Sequence, residues 1–151
     1  MPHKIFVNLP VENLERSIDF FTRLGFAFDP RFTDRNAACM VIGENMFAML
    51  LVEDFFRGFT GKEVCNTARC NEVLVALAFD SRDEVNDIVD KAWNHGGTVP
   101  NEPTDHGWMY QWAFLDPDGH RWEPIFIDES AVPVGAGADA SAPTTESTDH
   151  E

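Results

Sequence analysis

The sequence contains no apolar run that approaches the roughly 18 to 20 residues needed to span a bilayer. It also lacks the apolar block of a signal peptide, because Met1 to Lys4 lead directly into a stretch of alternating apolar residues. Cysteine is scarce. The chain has three cysteines, Cys39, Cys65 and Cys70. Their odd number and their spacings, which are unlike zinc-binding patterns, predict free thiols. We therefore expect a cytoplasmic protein without a disulfide scaffold.

Basic residues are few, since 11 Lys and Arg stand against 26 Asp and Glu and give a formal net charge of −15. Six of the acids lie in residues 128–151, so the preceding part of the chain still carries 20 acids and 11 basic residues. A body of this charge repels phosphate backbones and anionic membrane surfaces. The composition therefore argues against nucleic-acid and membrane partners.

At 151 residues with 44% apolar side chains, the chain has the size of one domain with a substantial core. From Ser130 onward the composition changes to small residues, proline and acids, without any aromatic residue. Such a segment buries too little apolar surface to offset the entropy lost on ordering. We predict one domain over residues 1–129 and a disordered acidic tail over residues 130–151.

Residues 3–52 predict a strand, a helix and three further strands. Apolar residues alternate along the first strand. The helix has Asn13 as its N-cap and Gly25 as the residue that ends it. Its apolar residues recur at helical spacing: Leu14, Ile18, Phe21 and Leu24. A short strand then leads into a hairpin formed by residues 39–42 and 46–52.

Residues 72–129 repeat this order after a connection over residues 53–71. Ser81 and Glu84 have the spacing of a capping box at the start of the second helix. Four positions of the first helix recur at a constant offset of 71 residues: Leu14, Ile18, Phe21 and Gly25 correspond to Val85, Val89, Ala92 and Gly96. We predict an α+β fold of two tandem βαβββ modules whose sheets curl around a shared concave site.

The duplication and two local sequences resemble a known family. One is the helix that begins LERSIDFF at Leu14 and ends LGF at Phe26, and the other is the turn block DPDGHRWE from Asp116 to Glu123. Both are similar to the vicinal oxygen chelate superfamily, which contains glyoxalase I, bleomycin-resistance proteins, fosfomycin-resistance enzymes and extradiol dioxygenases. The similarity covers about residues 3–128. The chain looks most like the glyoxalase-like branch labelled predicted lactoylglutathione lyase, a label that rests on the fold.

In the metal-dependent members, the resemblance implies a divalent ion held at the concave face by His, Glu or Gln. The four corresponding places fall on Phe6, Met49, Leu74 and Glu123. Only Glu123 can ligate a hard or borderline ion, because Phe and Leu have no donor atom and a thioether suits copper(I). We therefore expect no divalent metal cofactor. If a metal is bound, Glu123 is its ligand, and Glu123 is also the candidate catalytic base.

A four-residue turn at 116–119 predicts that Leu115 pairs with His120 and that Trp112 lies opposite Glu123. The concave face would then hold a mostly apolar pocket with few polar anchors, as small-molecule sites do. Its predicted ligand-binding residues are Phe6, Asn8, Met49, Leu74, Trp108, Tyr110, Trp112, Arg121 and Glu123. A register shifted by one residue would exchange the Trp108 series for Met109, Gln111 and Ala113. Core filling is the alternative role for the aromatic residues, and Arg121 could simply pair with Glu123.

Three functions are compatible with these features. The favoured one is a metal-free protein that binds a small planar or cationic compound anchored by Glu123. A metal-dependent lyase or dioxygenase of glyoxalase type would need atypical ligands such as His3, Asn8 or His106. A protein-interaction module would fill the aromatic face with a partner chain. The phenylalanines of the connection need cover from a lid or a second chain, and we expect a homodimer.

Overall fold

The computed structural model describes residues 1–135, and the fold is stated for these residues. Module one consists of β1 (Ile5–Val11), α1 (Leu14–Arg23), β2 (Ala27–Asp29), β3 (Ala37–Gly43) and β4 (Met46–Val52). Helix α2 (Glu53–Thr60) follows, and module two consists of β5 (Leu74–Phe79), α3 (Arg82–Asn94), β6 (Thr104–Asp105), β7 (Met109–Gln111), β8 (Phe114–Leu115) and β9 (Arg121–Ile127). The predicted α+β fold with tandem modules is confirmed.

The two sheets have equivalent topologies. In module one the strand order is β1-β4-β3-β2, and in module two it is β5-β9-β7-β6, with β8 also paired to β9. The first strand of each module runs parallel to the last, and the other pairs are antiparallel. Before β6, Thr98 forms an isolated antiparallel bridge with Leu115.

Both major helices begin at the predicted caps. The Asn13 side chain accepts a hydrogen bond from the backbone N–H of Arg16 at 3.0 Å, and the Ser81 hydroxyl accepts one from Glu84 at 3.1 Å. Glu84 reaches back to the N–H of Asp80 at 2.7 Å, so the reciprocal contact of the predicted capping box forms one residue upstream of the cap. These local signals fix where each helix starts.

The two modules share one hydrophobic core. Phe21 of α1 packs edge-on against Trp122 of β9 with ring centroids 5.1 Å apart, and Phe20 lies 6.2 Å from Phe114 of β8. Helix α3 contributes Ile88, Val89 and Ala92 to the same cluster. Both sheets therefore turn their helix-covered faces toward a common interior. We call these the covered faces.

The opposite faces of the two sheets, which we call the open faces, consequently point away from each other. Phe6 on β1 is 48% exposed and Leu74 on β5 is 54% exposed, although both are large apolar residues, and each of these strands lies at the edge of its sheet. The duplicated sequence pattern predicts a concavity shared by the two modules. Within one chain, the modules instead share the core on their covered sides, because the aromatic residues of α1 find their partners on module two.

Hydrogen bonds from the β8–β9 loop close the seam between the modules. The Asp118 carboxylate accepts bonds from the backbone N–H of Glu12 at 2.8 Å, from the Ser17 hydroxyl at 3.1 Å and from the Arg16 guanidinium at 3.2 Å. The His120 ring nitrogen Nε2 lies 2.5 Å from the carbonyl oxygen of Pro10. One loop of module two thus holds the end of β1 and the first turn of α1.

The first part of the predicted connection is helix α2, which sequence analysis interpreted as part of a long loop. Its end at Gly61 has the left-handed conformation, φ 65°, that favours glycine. No helix within residues 1–135 is long and apolar enough to cross a membrane. Of the predicted tail, residues 136–151 lie outside the described residues, and a short 3-10 turn, Glu129–Ala131, occupies its start.

Candidate functional site

The open face of module one is aromatic and apolar around one amide. Phe6 of β1 and Phe47 of β4 stack with ring centroids 4.8 Å apart and an interplanar angle of 14°. The ammonium group of Lys4 lies 5.7 Å from the centre of the Phe47 ring. Asn8 is the next outward residue of β1 and lies beside Met49 in the parallel register. This face offers stacking surface and the polar group of Asn8.

The open face of module two carries a charged pair among small and apolar side chains. Arg121 and Glu123 are neighbours on this face of β9, and the guanidinium Nε donates to Glu123 Oε1 at 3.0 Å. Leu74 lies beside Arg121 and Ala76 beside Glu123 in the parallel register with β5. Both charged side chains are about a quarter exposed, at 29% and 26%. The pair anticipated from the sequence is present and leaves solvent access to both groups.

The predicted register of the β8–β9 hairpin is wrong by one residue. Leu115 pairs with Arg121, and the backbone N–H of Trp112 donates to the carbonyl of Pro124 at 3.0 Å. The cause is Asp116, whose backbone N–H bonds to the carbonyl of His120 at 3.0 Å and closes a shorter loop.

The Asp116 side chain reinforces this loop. Its Oδ1 accepts from the backbone N–H of Asp118 at 2.9 Å and of His120 at 3.0 Å, while Oδ2 accepts from the Trp122 indole at 3.0 Å. Burial raises the pKa of the Asp116 carboxyl, an effect opposed by the nearby His120 and by the indole hydrogen bond. The turn residues were identified from the sequence, but the buried carboxylate sets the register.

The shift moves Tyr110 and Trp112 away from Glu123, so the prediction that they share its face is wrong. Tyr110 donates its hydroxyl to Asn86 Oδ1 of α3 at 2.6 Å, and burial raises the pKa of Tyr110. Trp112 packs against the core and donates its indole N–H to the carbonyl of Asn101 at 2.7 Å. Their neighbours Gln111 and Met109 pair with β9 residues of the open face instead.

Trp108 precedes β7 and lies outside this pairing. Its ring is tilted against that of His106, with centroids 6.3 Å apart, and its carbonyl accepts a hydrogen bond from the backbone N–H of Asp128 at 2.8 Å. Residues 108–115 contain two short strands, β7 and β8, with an interruption between them.

The remaining predicted residues fall into two groups on separate open faces. Phe6, Asn8 and Met49 belong to module one, whereas Leu74, Arg121 and Glu123 belong to module two. A binding role for them stays a prediction. In the part of the chain that the structure describes, the two groups lie on separate sides, because the covered faces lie between them.

Two adjoining cavities of about 520 and 530 Å³ lie instead at the seam, beneath the connection. They share five lining residues, namely Pro10, Glu63, Cys65, Thr67 and His120. The larger cavity also receives Phe56 of α2 and Asn8. Of the predicted site residues, only Asn8 lines these cavities. The i, i+4 spacing of Phe55 and Phe59 and the acids Glu53 and Asp54 are helix signals that could have indicated α2.

The donor atoms present do not fit the divalent metal implied by the resemblance. Of the four corresponding places, only Glu123 supplies an oxygen ligand, and its Oε1 accepts a hydrogen bond from Arg121 Nε. Within residues 1–135, no three His, Cys, Asp or Glu side chains come together in a possible metal-binding group. We therefore derive no chemistry through a metal at this position.

Comparison with protein families identifies the fold. Residues 5–123 match the Glyoxalase/Bleomycin resistance protein/Dioxygenase superfamily. The chain belongs to this superfamily. A comparison with curated proteins finds none that matches.

Several solved structures share the architecture. Hypothetical protein SA1046 from S. aureus is 26% identical, with a TM-score of 0.72, over 83% of this chain and 95% of its own. A glyoxalase-related enzyme from Fulvimarina pelagi is 21% identical, with a TM-score of 0.70, over 90% and 94%. The bleomycin resistance determinant encoded on transposon Tn5 is 16% identical, with a TM-score of 0.59, over 83% and 98%. The latter two likenesses concern the fold alone.

Proposed function

We propose that the protein binds a small organic molecule on its open faces without using a divalent metal. The observation that carries this proposal is the composition of those faces, which combine a stacked phenylalanine pair with one accessible ion pair. Stacked aromatic rings offer a platform for a planar ligand, and Glu123 with Arg121 offers both an acceptor and donors. Superfamily membership supports a small-molecule role but does not specify the ligand.

We further propose that the site is completed in a homodimer. Each chain exposes two different apolar faces, one with Phe6 and Phe47 and one with Leu74 beside Arg121 and Glu123. A second copy can place its module-two face opposite the module-one face of the first, because both faces are outward in each chain. Such an arrangement would cover the exposed apolar surface and bring the two groups of predicted residues together.

The dimer is tested by sedimentation velocity on the full chain. We expect the wild type to sediment as a dimer and Leu74→Arg to shift it toward monomer, because a guanidinium would be placed in an apolar contact. Trp93→Arg is the matched control, since Trp93 is 63% exposed on α3, away from the open faces. A monomeric wild type, or an equal effect of the two substitutions, would contradict the proposed arrangement.

The binding role is tested with 9-aminoacridine, a planar aromatic cation, by fluorescence titration. We expect saturable binding, with a loss of at least about tenfold in affinity in Glu123→Gln and in Phe6→Ala. Glu15→Gln is the control for charge alone, because Glu15 is exposed on the first turn of α1. Wild-type binding that both site variants leave unchanged would place the ligand elsewhere.

A metal-dependent lyase or dioxygenase is the second candidate, favoured by the position of Glu123 on an open face. Elemental analysis of protein purified without chelator distinguishes it from the first. Stoichiometric zinc, nickel, iron or manganese that is lost in Glu123→Ala would support this alternative and contradict the metal-free proposal. A stable dimer without saturable ligand binding would instead support the protein-interaction module.

A further inference from the structure

Two of the three cysteines lie together in the connection after α2. The Sγ atoms of Cys65 and Cys70 are 2.6 Å apart, and Cys65 Sγ also lies 3.2 Å from the carbonyl oxygen of Cys70. The sulfurs would have to approach by only about 0.6 Å to reach a covalent S–S distance of about 2.0 Å. Cys39, by contrast, is buried in β3, and burial raises its pKa.

The backbone between the two cysteines is a hydrogen-bonded turn. The carbonyl of Asn66 accepts from the N–H groups of Arg69 at 2.9 Å and Cys70 at 3.0 Å. The Asn66 side-chain oxygen accepts from the N–H of Ala68 at 3.1 Å. These bonds hold the two sulfurs near each other before any covalent bond forms.

The turn is also anchored to module two. The Thr67 hydroxyl donates to the carbonyl of Asp118 at 2.5 Å, and the Asn71 amide donates to the carbonyl of Gly119 at 3.3 Å. Gly119 has φ +80°, and a Cβ at this residue would meet Thr67 Oγ1 at 2.5 Å, so the approach requires glycine. Tertiary contacts therefore fix the position of the cysteine turn on the β8–β9 loop.

From this geometry we propose that Cys65 and Cys70 are a redox modification site that forms a reversible intramolecular disulfide by exchange with a low-molecular-weight disulfide. The exposed Cys70 thiolate attacks one sulfur of the small disulfide, whose S–S bond breaks and releases one thiolate. The Cys65 thiolate then attacks the Cys70 sulfur of the mixed disulfide and releases the second. The two cysteines lose two electrons to the small disulfide, and their two protons pass to the released thiolates.

The order of attack follows from the surroundings of the two thiols. Cys65 is partly buried, and its hydrogen bond with Cys70 together with burial raises the pKa of its thiol. A thiol with a raised pKa is a poor first nucleophile at neutral pH. Cys70, which is exposed, is therefore the attacking residue, and Cys65 is the resolving residue.

The disulfide would form within a segment that lines both seam cavities. Cys65 and Thr67 contribute to both cavity walls. A disulfide across residues 65–70 would hold this wall in one conformation, whereas the reduced turn depends on its hydrogen bonds alone. This redox site does not depend on which ligand binds to the open faces or on whether a metal is bound there.

Arg69 allows a direct test, because trypsin cleaves between the two cysteines. The full chain is equilibrated in reduced and oxidised glutathione, quenched with acid, alkylated and digested. We expect the disulfide to join the peptides that contain residues 63–69 and 70–82, and Cys39 to remain alkylated. We also expect the equilibrium constant for forming this disulfide against glutathione to be at least about tenfold larger in the folded chain than in the same chain in concentrated urea. The reason is that the fold holds the two sulfurs together.

Two variants and one non-reducing gel define the outcomes. Cys70→Ser should abolish the linked peptide pair. Thr67→Val should reduce the advantage of the folded over the unfolded chain, because it removes the bond to Asp118. A non-reducing gel should show a monomeric band, since the bond is within one chain. Equal preference in folded and unfolded chains, exclusive cross-linking between chains, or separate alkylated peptides after full equilibration with oxidised glutathione would each overturn the proposal.

Discussion

Both sheets bury large apolar side chains on one face and expose equally large ones on the other. On β1, Leu9 is 2% exposed and Phe6 is 48% exposed, and on β5 Leu77 is 9% exposed and Leu74 is 54% exposed. The difference arises from the packing partner and not from side-chain hydrophobicity. The covered faces are filled by the helices of both modules, whereas the open faces leave Phe6 and Leu74 uncovered among residues 1–135. The comparison separates the surface that stabilises the fold from the surface available for binding.

The largest expected effect is on the covered face. Trp122→Ala should lower the free energy of unfolding by about 3–5 kcal/mol, because the indole is fully buried against Phe21 and Phe114 and bonds to Asp116. Phe6→Ala should cost about 1 kcal/mol, mainly from the lost stack with Phe47. Urea unfolding measures both. Both substitutions are measured in a chain that also carries Leu74→Arg, so that the proposed dimer contributes nothing to stability. If Trp122→Ala and Phe6→Ala then lowered the free energy of unfolding equally, the covered and open faces would not differ as described.

An intermediate effect is expected at the seam between the modules. Asp118→Ala should cost about 2–3 kcal/mol, because it removes the acceptor for Glu12 N–H and leaves the buried Ser17 hydroxyl without a partner. Arg16→Ala is the matched control, since it removes a partly exposed ion-pair partner of the same carboxylate and should cost about 0–1 kcal/mol. Urea unfolding again gives the comparison. A loss for Arg16→Ala as large as for Asp118→Ala would contradict the role assigned to the buried hydroxyl.

The smallest expected effect is a shift in the titration of Tyr110, which lies on the covered side of β7 and is the single tyrosine of the chain. Burial raises the pKa of Tyr110, so its ultraviolet titration midpoint should lie higher in the folded chain than in urea. The neutral phenol is favoured in the folded state. Its contribution to stability should therefore be present below the unfolded pKa of about 10 and be lost as pH rises through the higher folded pKa. An identical midpoint in both states would contradict the burial of the Tyr110 phenol.

The elements that depend on local signals could be predicted from the sequence. The caps at Asn13 and Ser81, the hairpin after Gly43 and the offset between the helices define two equivalent modules, and the structure confirms them. These features depend on residues close together in the chain. Helix α2 was missed because its phenylalanines are followed by glycines, which favour the interpretation as a loop over the helical spacing.

The features that were wrong or missing depend on contacts between distant residues. The hairpin register follows from the buried Asp116 carboxylate, whose hydrogen bonds a turn pattern does not contain. The direction of the open faces follows from Phe20 and Phe21 of α1, which pack against module two. Since both faces of β1 and β5 are apolar, periodicity could not decide which face meets the partner module. The separation of Phe6 from Glu123 within the chain is therefore a tertiary property.

The shared core also constrains how this architecture arose. A shorter polypeptide ending after β4 would leave one side of Phe20 and Phe21 without aromatic partners, because Phe114 and Trp122 belong to the later half of the chain. An ancestor with one module could have covered this side by associating with an identical copy. Gene fusion would then have made permanent a partnership that had until then depended on concentration.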